Sequence, residues 1–396
     1  MRLLSLMTMI DSIGRIYLDY AASTPVRDEV REAMLPYLGA KFGNPSSIHS
    51  FGRELRRTID ECRDRIKFAL NCSYREIIFL SGATEGDNWA IKNLADANKS
   101  KGHHFIISAF EHHAVMESAE YLEKKGYECT RVKPGSDGVV RIEDFESAIR
   151  KDTTFISLMA VNNELGTVQP VRDVAILAKE RGLMMHTDCA QAISTQPVNL
   201  EEIPVDILTV TAHKIYGPIG CGFNFIRKGT GIDPLIHGGS HEFHLRAGTE
   251  NVAGIVGLAR AVELAVKERE ERVLAYKELG KYMFDLFNKN ALNVTLVGSL
   301  EKRAPHIYNI RVHGVPSENL LIGFDEAGIA VSTGSACASG SAEPSHVMKA
   351  LGFDFQKAME CIRVSFGIHT KKEHVDKFVR VLKEIISING EHHESD

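Results

Sequence analysis

The sequence predicts an α/β protein: a largely parallel sheet completed by a smaller α+β unit. Three observations carry that reading. From about residue 76 to 226, short apolar runs alternate with helix-forming stretches; the runs are apolar throughout; and beyond about residue 290 the order of elements changes. Strands separated by helices build parallel βαβ units, and strands apolar on both sides are strands covered on both faces. The runs are EIIFLS (76–81), HFIIS (104–108), TFISLMA (154–160), LMMHTD (183–188), VDILTVT (205–211) and GFNFI (222–226). Between them lie helix-like segments such as EGDNWAIKNLADANK and VRDVAILAKERG. A charge-laced helical stretch covers about 254–290, and then come strand, strand, helix, strand, loop, helix, strand and helix. The expected division is a large domain, 27–270, and a small one, 1–26 with 271–396; the boundary near 270 falls inside a helix.

Composition narrows the class. A chain of 396 residues suits two domains. With 47 Lys and Arg against 52 Asp and Glu, the net charge is −5, and 44% of residues are apolar. That apolar share excludes a disordered chain, and mild acidity argues against general affinity for nucleic acid or anionic membrane. No stretch reaches the roughly 18 uncharged apolar residues of a bilayer span. The start, MRLLSLMTMIDSIGR, breaks at Asp11, lacks an A-x-A-like cleavage site and is poor in Arg, so a reducing cytoplasm is the expected compartment. Seven scattered cysteines without a CxxC pair resemble neither a disulfide framework nor a zinc ribbon.

Ligands of an open parallel sheet sit beyond the carboxyl ends of its strands. The residues standing there are chemically active: Gly82-Ala83-Thr84, Glu111-His112-His113, Asn162-Asn163-Glu164, Asp188 with Gln191, and Ala212-His213-Lys214. A lysine at a strand end among apolar residues is desolvated, which frees its amine for Schiff-base formation; otherwise Lys214 is a solvated surface residue. A carboxylate at a neighbouring strand end can keep the ring nitrogen of pyridoxal phosphate protonated, whereas alone Asp188 reads as a helix N-cap. SGATE places small residues and Thr84 at a helix start, where backbone N–H groups and the dipole favour a phosphate; the plain alternative is a capping box. Thr211 can add a hydroxyl, His112 can stack on a planar ring and Asn163 can hydrogen-bond a ring oxygen. Five such residues at five successive strand ends argue jointly for a site.

The segments IYLDYAASTPV (16–26), FGNPSSIH (42–49), FLSGATEGDNWAI (79–91), EHHAV (111–115), VNNELGTVQPV (161–171), HTDCAQA (186–192), TAHKIYGPIGCG (211–222), LRAGTEN (245–251) and STGSACASGSAEPSHVMKALG (332–352) resemble the NifS/IscS-type cysteine desulfurases, in that family's order over nearly the whole chain. The resemblance implies a fold-type I pyridoxal-phosphate enzyme, aspartate aminotransferase-like, with a mostly parallel seven-stranded sheet in the large domain, acting as a homodimer. It further implies that Lys214 carries the cofactor, Asp188 pairs with its ring nitrogen, His112 stacks on the ring and Gln191 meets its phenolic oxygen. Asn163 is a further cofactor contact. Ala83, Thr84, Thr211 and His213 match the phosphate cup, and Thr249 a phosphate contact lent by the other subunit. Arg363 matches the arginine for the substrate carboxylate, with Asn44 beside it. Cys337, in the small domain, matches the nucleophile that takes sulfur from L-cysteine, leaving alanine, before an acceptor such as an iron–sulfur scaffold or a tRNA thiolation route receives it.

The segment around Cys337, VSTGSACASGSAEP, is too small-sided to pack a core and reads as a loop, while the other six cysteines stand in apolar or periodic contexts. The chain departs from the family pattern at Cys189, beside Asp188, and at His241, Phe243 and His244. Histidines 237, 241 and 244 fit no zinc spacing, so no metal is expected and a polar loop at the dimer or entrance surface is. A selenocysteine lyase shares the loop cysteine and stays open; an aminotransferase has no use for it. A non-catalytic scaffold would not need Lys214, His112, Asp188 and Cys337 together.

Overall fold

The computed structural model describes residues 14–333 and 343–393. Strand β1 (Ile16–Tyr17) and helices α1 (Asp28–Met34) and α2 (Ser50–Leu70) lead into a βαβ series. It comprises β2 (Ile77–Leu80), α3 (Ala83–Asn98), β3 (His104–Ser108), α4 (His113–Glu123), β4 (Glu128–Val132), α5 (Ile142–Ala148), β5 (Thr153–Ser157), α6 (Val171–Glu180), β6 (Met184–Asp188), β7 (Ile207–Thr211) and β8 (Gly222–Ile226). After it come α7 (Val252–Lys267), α8 (Arg269–Lys289), β9 (Val294–Val297), β10 (Ile307–Val312), α9 (Ser317–Glu326), β11 (Ile329–Ala330), α10 (His346–Ala350), α11 (Phe355–Ala358), β12 (Cys361–Ser365) and α12 (Lys372–His393).

The seven-stranded sheet has the order β2-β8-β7-β6-β5-β3-β4. Only β8 runs antiparallel to its neighbours. All six apolar runs are strands. The seventh, β4, reads ECTRV and buries only Val132, because an edge strand has one side to hide. In β3, Ile106 joins one core with Ile59, Phe79 and Val256, while Phe105 and Ile107 join another with Ala90, Leu94 and Val115. Alternate residues thus bury opposite faces, which is why these strands show no polar alternation. The helical stretch at 254–290 is two helices, α7 and α8, broken at Glu268.

A separate core gathers Met283, Phe287, Ile310, Phe324, Val364 and Phe378 around the antiparallel sheet β12-β10-β9. Residues 16–24 tie the two regions together. Leu18 lies in this second core, its N–H bonding to Ala330 and its carbonyl taking the Ser365 N–H. A few residues on, the Thr24 N–H and hydroxyl both donate to the His213 carbonyl, beyond β7.

One loop is held by a buried ion pair. Glu242, Phe243 and His244 all have left-handed backbones, with φ of 46°, 59° and 67°, a costly conformation for residues with side chains. Glu242 takes two Arg63 N–H bonds at 2.8 and 3.0 Å and the Phe79 N–H at 2.8 Å, with both ion-pair side chains at most 2% exposed. The guanidinium also lies over the Phe79 and Phe243 rings, 4.6 and 4.8 Å from their centroids. Removing one partner of such a pair strands a buried charge, at a typical cost of about 3–5 kcal/mol. Glu242→Gln is therefore expected to lower the unfolding free energy by an amount in that range, read as a lower urea midpoint with the slope of the transition unchanged.

Candidate active site

Parallel strands deliver their carboxyl ends to one edge, and a cavity of about 550 Å³ opens there. Ten sequence-expected residues line it: Ala83, Thr84, His112, Asn163, Asp188, Gln191, Thr211, His213, Lys214 and Arg363. Lys214 follows β7 on a short 3-10 turn, and its Nζ donates to the Ala21 and Ala22 carbonyls, both at 2.7 Å. Gln191 Nε2 donates to the same Ala21 carbonyl at 2.8 Å. The next strand over ends in Asp188, whose Oδ1 accepts the Ala190 N–H at 2.7 Å.

The opposite wall is helix α3. Its N-cap is Gly82, no side chain caps its first turn, and Ala83 and Thr84 begin it at the cavity. Ser81 is engaged elsewhere, its N–H and hydroxyl both donating to Glu85, which Arg246 clamps from the 242–246 loop. Opposite stand Thr211 and His213, with Thr211 Oγ1 2.9 Å from His213 Nδ1. Open helix N–H groups with two hydroxyls and an imidazole form a donor set for a phosphate.

His112 caps α4: its Nδ1 accepts the Ala114 N–H at 3.1 Å. The ring proton of the neutral imidazole is therefore on Nε2. Burial, then Lys214, draws its pKa down to about 4, so the ring is neutral at physiological pH. Burial likewise brings His213 to about 4. Asp188 is pushed up to about 6 by burial, against the pull of the Ala190 N–H and Lys214. At that value Asp188 is largely ionised at neutral pH, and a cationic ring nitrogen beside it would hold it so. The amine, the carboxyl, the ring and the phosphate cradle together fit pyridoxal phosphate.

Arg363, on β12, reaches across from the second core. Its guanidinium donates to Asp19 Oδ1 at 2.7 Å and to the Asn163 carbonyl at 2.9 Å. Asn44 is exposed and is not among the lining residues; its Oδ1 accepts the Ser46 N–H. Thr249, also exposed, lines a smaller adjoining cavity of about 230 Å³ that shares Ser81 and Gly220 with the main one. Cys337 lies outside the described residues. Cys189 is buried, which pushes its thiol pKa up and makes it inert.

Two buried acids that the sequence reading left without a role also shape the site. Glu111, pushed up to about 8 by burial, accepts from the Ser108 hydroxyl and the Met159 N–H. Glu164, pushed up to about 7, accepts from Ser345 at 2.6 Å. Each adjoins a singled-out residue, His112 or Asn163, and an acid closing an apolar run was the available signal.

Residues 16–378 match the family described as aminotransferase class-V. A cysteine desulfurase IscS from Dictyoglomus turgidum is 47% identical over 371 residues, 94% of this chain and 94% of that protein. A solved structure described as a NifS-like protein aligns with a TM-score of 0.89 at 36% identity, covering 94% of this chain and all of that one. Another, described as SspA in complex with cysteine, aligns at 0.77 and 33% identity over 89% of this chain and 98% of that one. Fold and site define an enzyme of the pyridoxal-phosphate-dependent class. The chain belongs to the aminotransferase class-V family, and within it to the cysteine desulfurases.

The buried histidines have a consequence for stability. A histidine whose folded pKa lies below its unfolded value stabilises the protein above the unfolded pKa and loses that contribution as pH falls through the folded one. His186, fully buried beneath the site, is drawn down to about 3, and His112 and His213 to about 4. The urea midpoint of the apoprotein is expected to fall as pH drops from about 6.5 toward 4, with His186 alone costing on the order of 2 kcal/mol at pH 5. A His186→Asn variant should show a shallower slope over the same window.

Proposed function

We propose that this chain removes sulfur from L-cysteine with pyridoxal 5'-phosphate held on Lys214, releasing alanine and passing the sulfur through Cys337 to an acceptor protein such as an iron–sulfur scaffold. The observation that carries this reading is the convergence of Lys214, Asp188, His112 and the open start of α3 on one cavity, with Arg363 entering from the second core. The structural relative described as bound to cysteine supports the substrate.

When bound, the cofactor supplies an electron sink for the substrate α-carbon. Asp188 would pair with its ring nitrogen, and the N–H groups of Ala83 and Thr84, with Thr211 and His213, would hold its phosphate. His112, neutral with its proton on Nε2, would face the ring as a donor. Gln191 and Asn163 take polar positions around it. Lys214, steadied by the Ala21 and Ala22 carbonyls, moves the α-proton. Arg363 holds the substrate carboxylate, and Asn44 is proposed beside it. The Cys337 thiolate forms a bond to the substrate sulfur as the carbon–sulfur bond breaks; that bond's electron pair goes to carbon, which is then protonated.

Exposed Thr249 suits a contact given to a second subunit, so a homodimer is part of the proposal, as is the division into domains at 27–270 and 1–26 with 271–396. Among the described residues no helix is long and apolar enough to cross a membrane; a cytoplasmic location is proposed with the rest.

Lys214→Ala is expected to lose turnover and the covalent link to cofactor, read by borohydride reduction and peptide mass mapping. A reduced adduct on any other lysine would reassign the role. Cys337→Ser should bind cofactor yet release no sulfide from cysteine, because a neutral hydroxyl is a poor nucleophile toward sulfur. Wild-type protein given cysteine without reductant should gain one sulfur atom on the Cys337 peptide; sulfur on Cys189 instead would overturn the assignment. Arg363→Ala should raise KM for cysteine at least about tenfold, since truncating a buried charge partner costs about 2–5 kcal/mol, with cofactor content unchanged.

A further inference from the structure

Behind Asp188 lies a buried carboxyl that the mechanism above does not use. Asp87, one turn into α3 from Thr84, is wholly buried, and neither of its oxygens has a hydrogen-bond partner. His186 Nε2, also wholly buried, is 3.5 Å from Oδ1, and the Thr209 hydroxyl faces the same carboxyl. His186 stands two residues before Asp188 on β6, on the same strand face. Its Nε2 is 3.0 Å from Thr209 Oγ1, and its Nδ1 is 2.9 Å from Ser157 Oγ. The space is tight: a Cβ on Gly86 would come within 2.3 Å of Asn224 and 2.7 Å of Thr209. The charged or titratable groups facing Asp87 are Asp188 and His186 from β6 and Glu111 from the turn after β3.

We propose that Asp87 and His186 are positioning residues for Asp188: Asp87 keeps its proton and donates it toward the His186–Thr209 pair, so that Asp188 is the single anion facing the cofactor's ring nitrogen. This rests on the cofactor reading above. An ionised Asp87 would be a buried charge with no cation beside it, only the Thr209 hydroxyl and a neutral imidazole, which costs more than protonation. It would also repel the charge Asp188 must carry, and burial together with Asp188 pushes Asp87 well above the usual carboxylate range. The tautomer of His186 follows from this. With Asp87 neutral, Nε2 accepts, from Asp87 or from Thr209, and the ring proton sits on Nδ1, donated to Ser157. With Asp87 ionised, the Thr209 hydroxyl and Nε2–H would both turn toward the carboxylate and Nδ1 would be bare.

The test uses the full-length protein loaded with pyridoxal phosphate. Loading comes first: a wild-type protein that takes up no cofactor sinks the cofactor reading, whereas the outcomes below bear on Asp87 alone. In loaded wild type at neutral pH, infrared difference spectra against Asp87→Asn should show one protonated carboxyl lost. Nitrogen-15 histidine spectra, with His186→Gln identifying the signal, should place the proton on Nδ1. Asp87→Asn, whose amide N–H can still donate, should keep the cofactor dissociation constant and the pH midpoint of the bound-cofactor absorption near wild type. Asp87→Ala should weaken cofactor binding by about tenfold, the worth of one buried hydrogen bond, and shift that midpoint. A proton on Nε2, no protonated carboxyl, or an Asn variant displaced as far as Ala would each overturn the proposal. If Asp87→Ala does not fold, the infrared and tautomer results decide.

Discussion

The site depends on a backbone segment rather than on a side chain. Residues 18–24 leave the second core at Leu18 and arrive beside the end of β7, where the Ala21 and Ala22 carbonyls take the Lys214 amine and Ala21 also takes Gln191. Two carbonyl dipoles hold the nitrogen at the cavity edge while adding no net charge. Asp19, on the same segment, meets Arg363. One short stretch thus sets the lysine and the arginine in register, although they belong to different cores.

Around that tie the protein arranges acids in a dry setting. Glu111, Glu164 and Asp188 are all buried and all pushed up by that burial, to about 8, 7 and 6, so only Glu111 is mainly neutral at physiological pH. The histidines are drawn the other way and are neutral too. The result is a site rich in titratable groups that burial holds away from their ordinary ionisation.

Much of this was legible in the sequence, for a geometric reason. Parallel strands end on one side of their sheet, so residues after the apolar runs at 81, 108, 160, 188 and 211 had to meet, and Thr84, His112, Asn163, Asp188 and Lys214 do. The strands were legible because burial on both faces leaves them apolar throughout; β4 was not, since an edge strand carrying Glu128 and Arg131 reads as surface. Carbonyl partners such as Ala21 have no signature in residue type. Asp87 sits inside a motif that reads as a phosphate loop, and only packing shows it buried without a partner. The Arg63–Glu242 pair spans 179 positions along the chain, a separation no local pattern reveals.

The crossing segment also bears on biogenesis. A chain made from its N-terminus onward folds its early portions first, and the βαβ series holds most of its own core within residues 30–265. Leu18, however, belongs to the second core, and its backbone pairs with Ala330 and Ser365, which are made late. Until then the segment bearing the Ala21 and Ala22 carbonyls is tied to the first core at Thr24 and Gln191 but not to the second at Leu18. The sheet can therefore close early, while the contact that joins the lysine edge to the arginine of the second core is completed late.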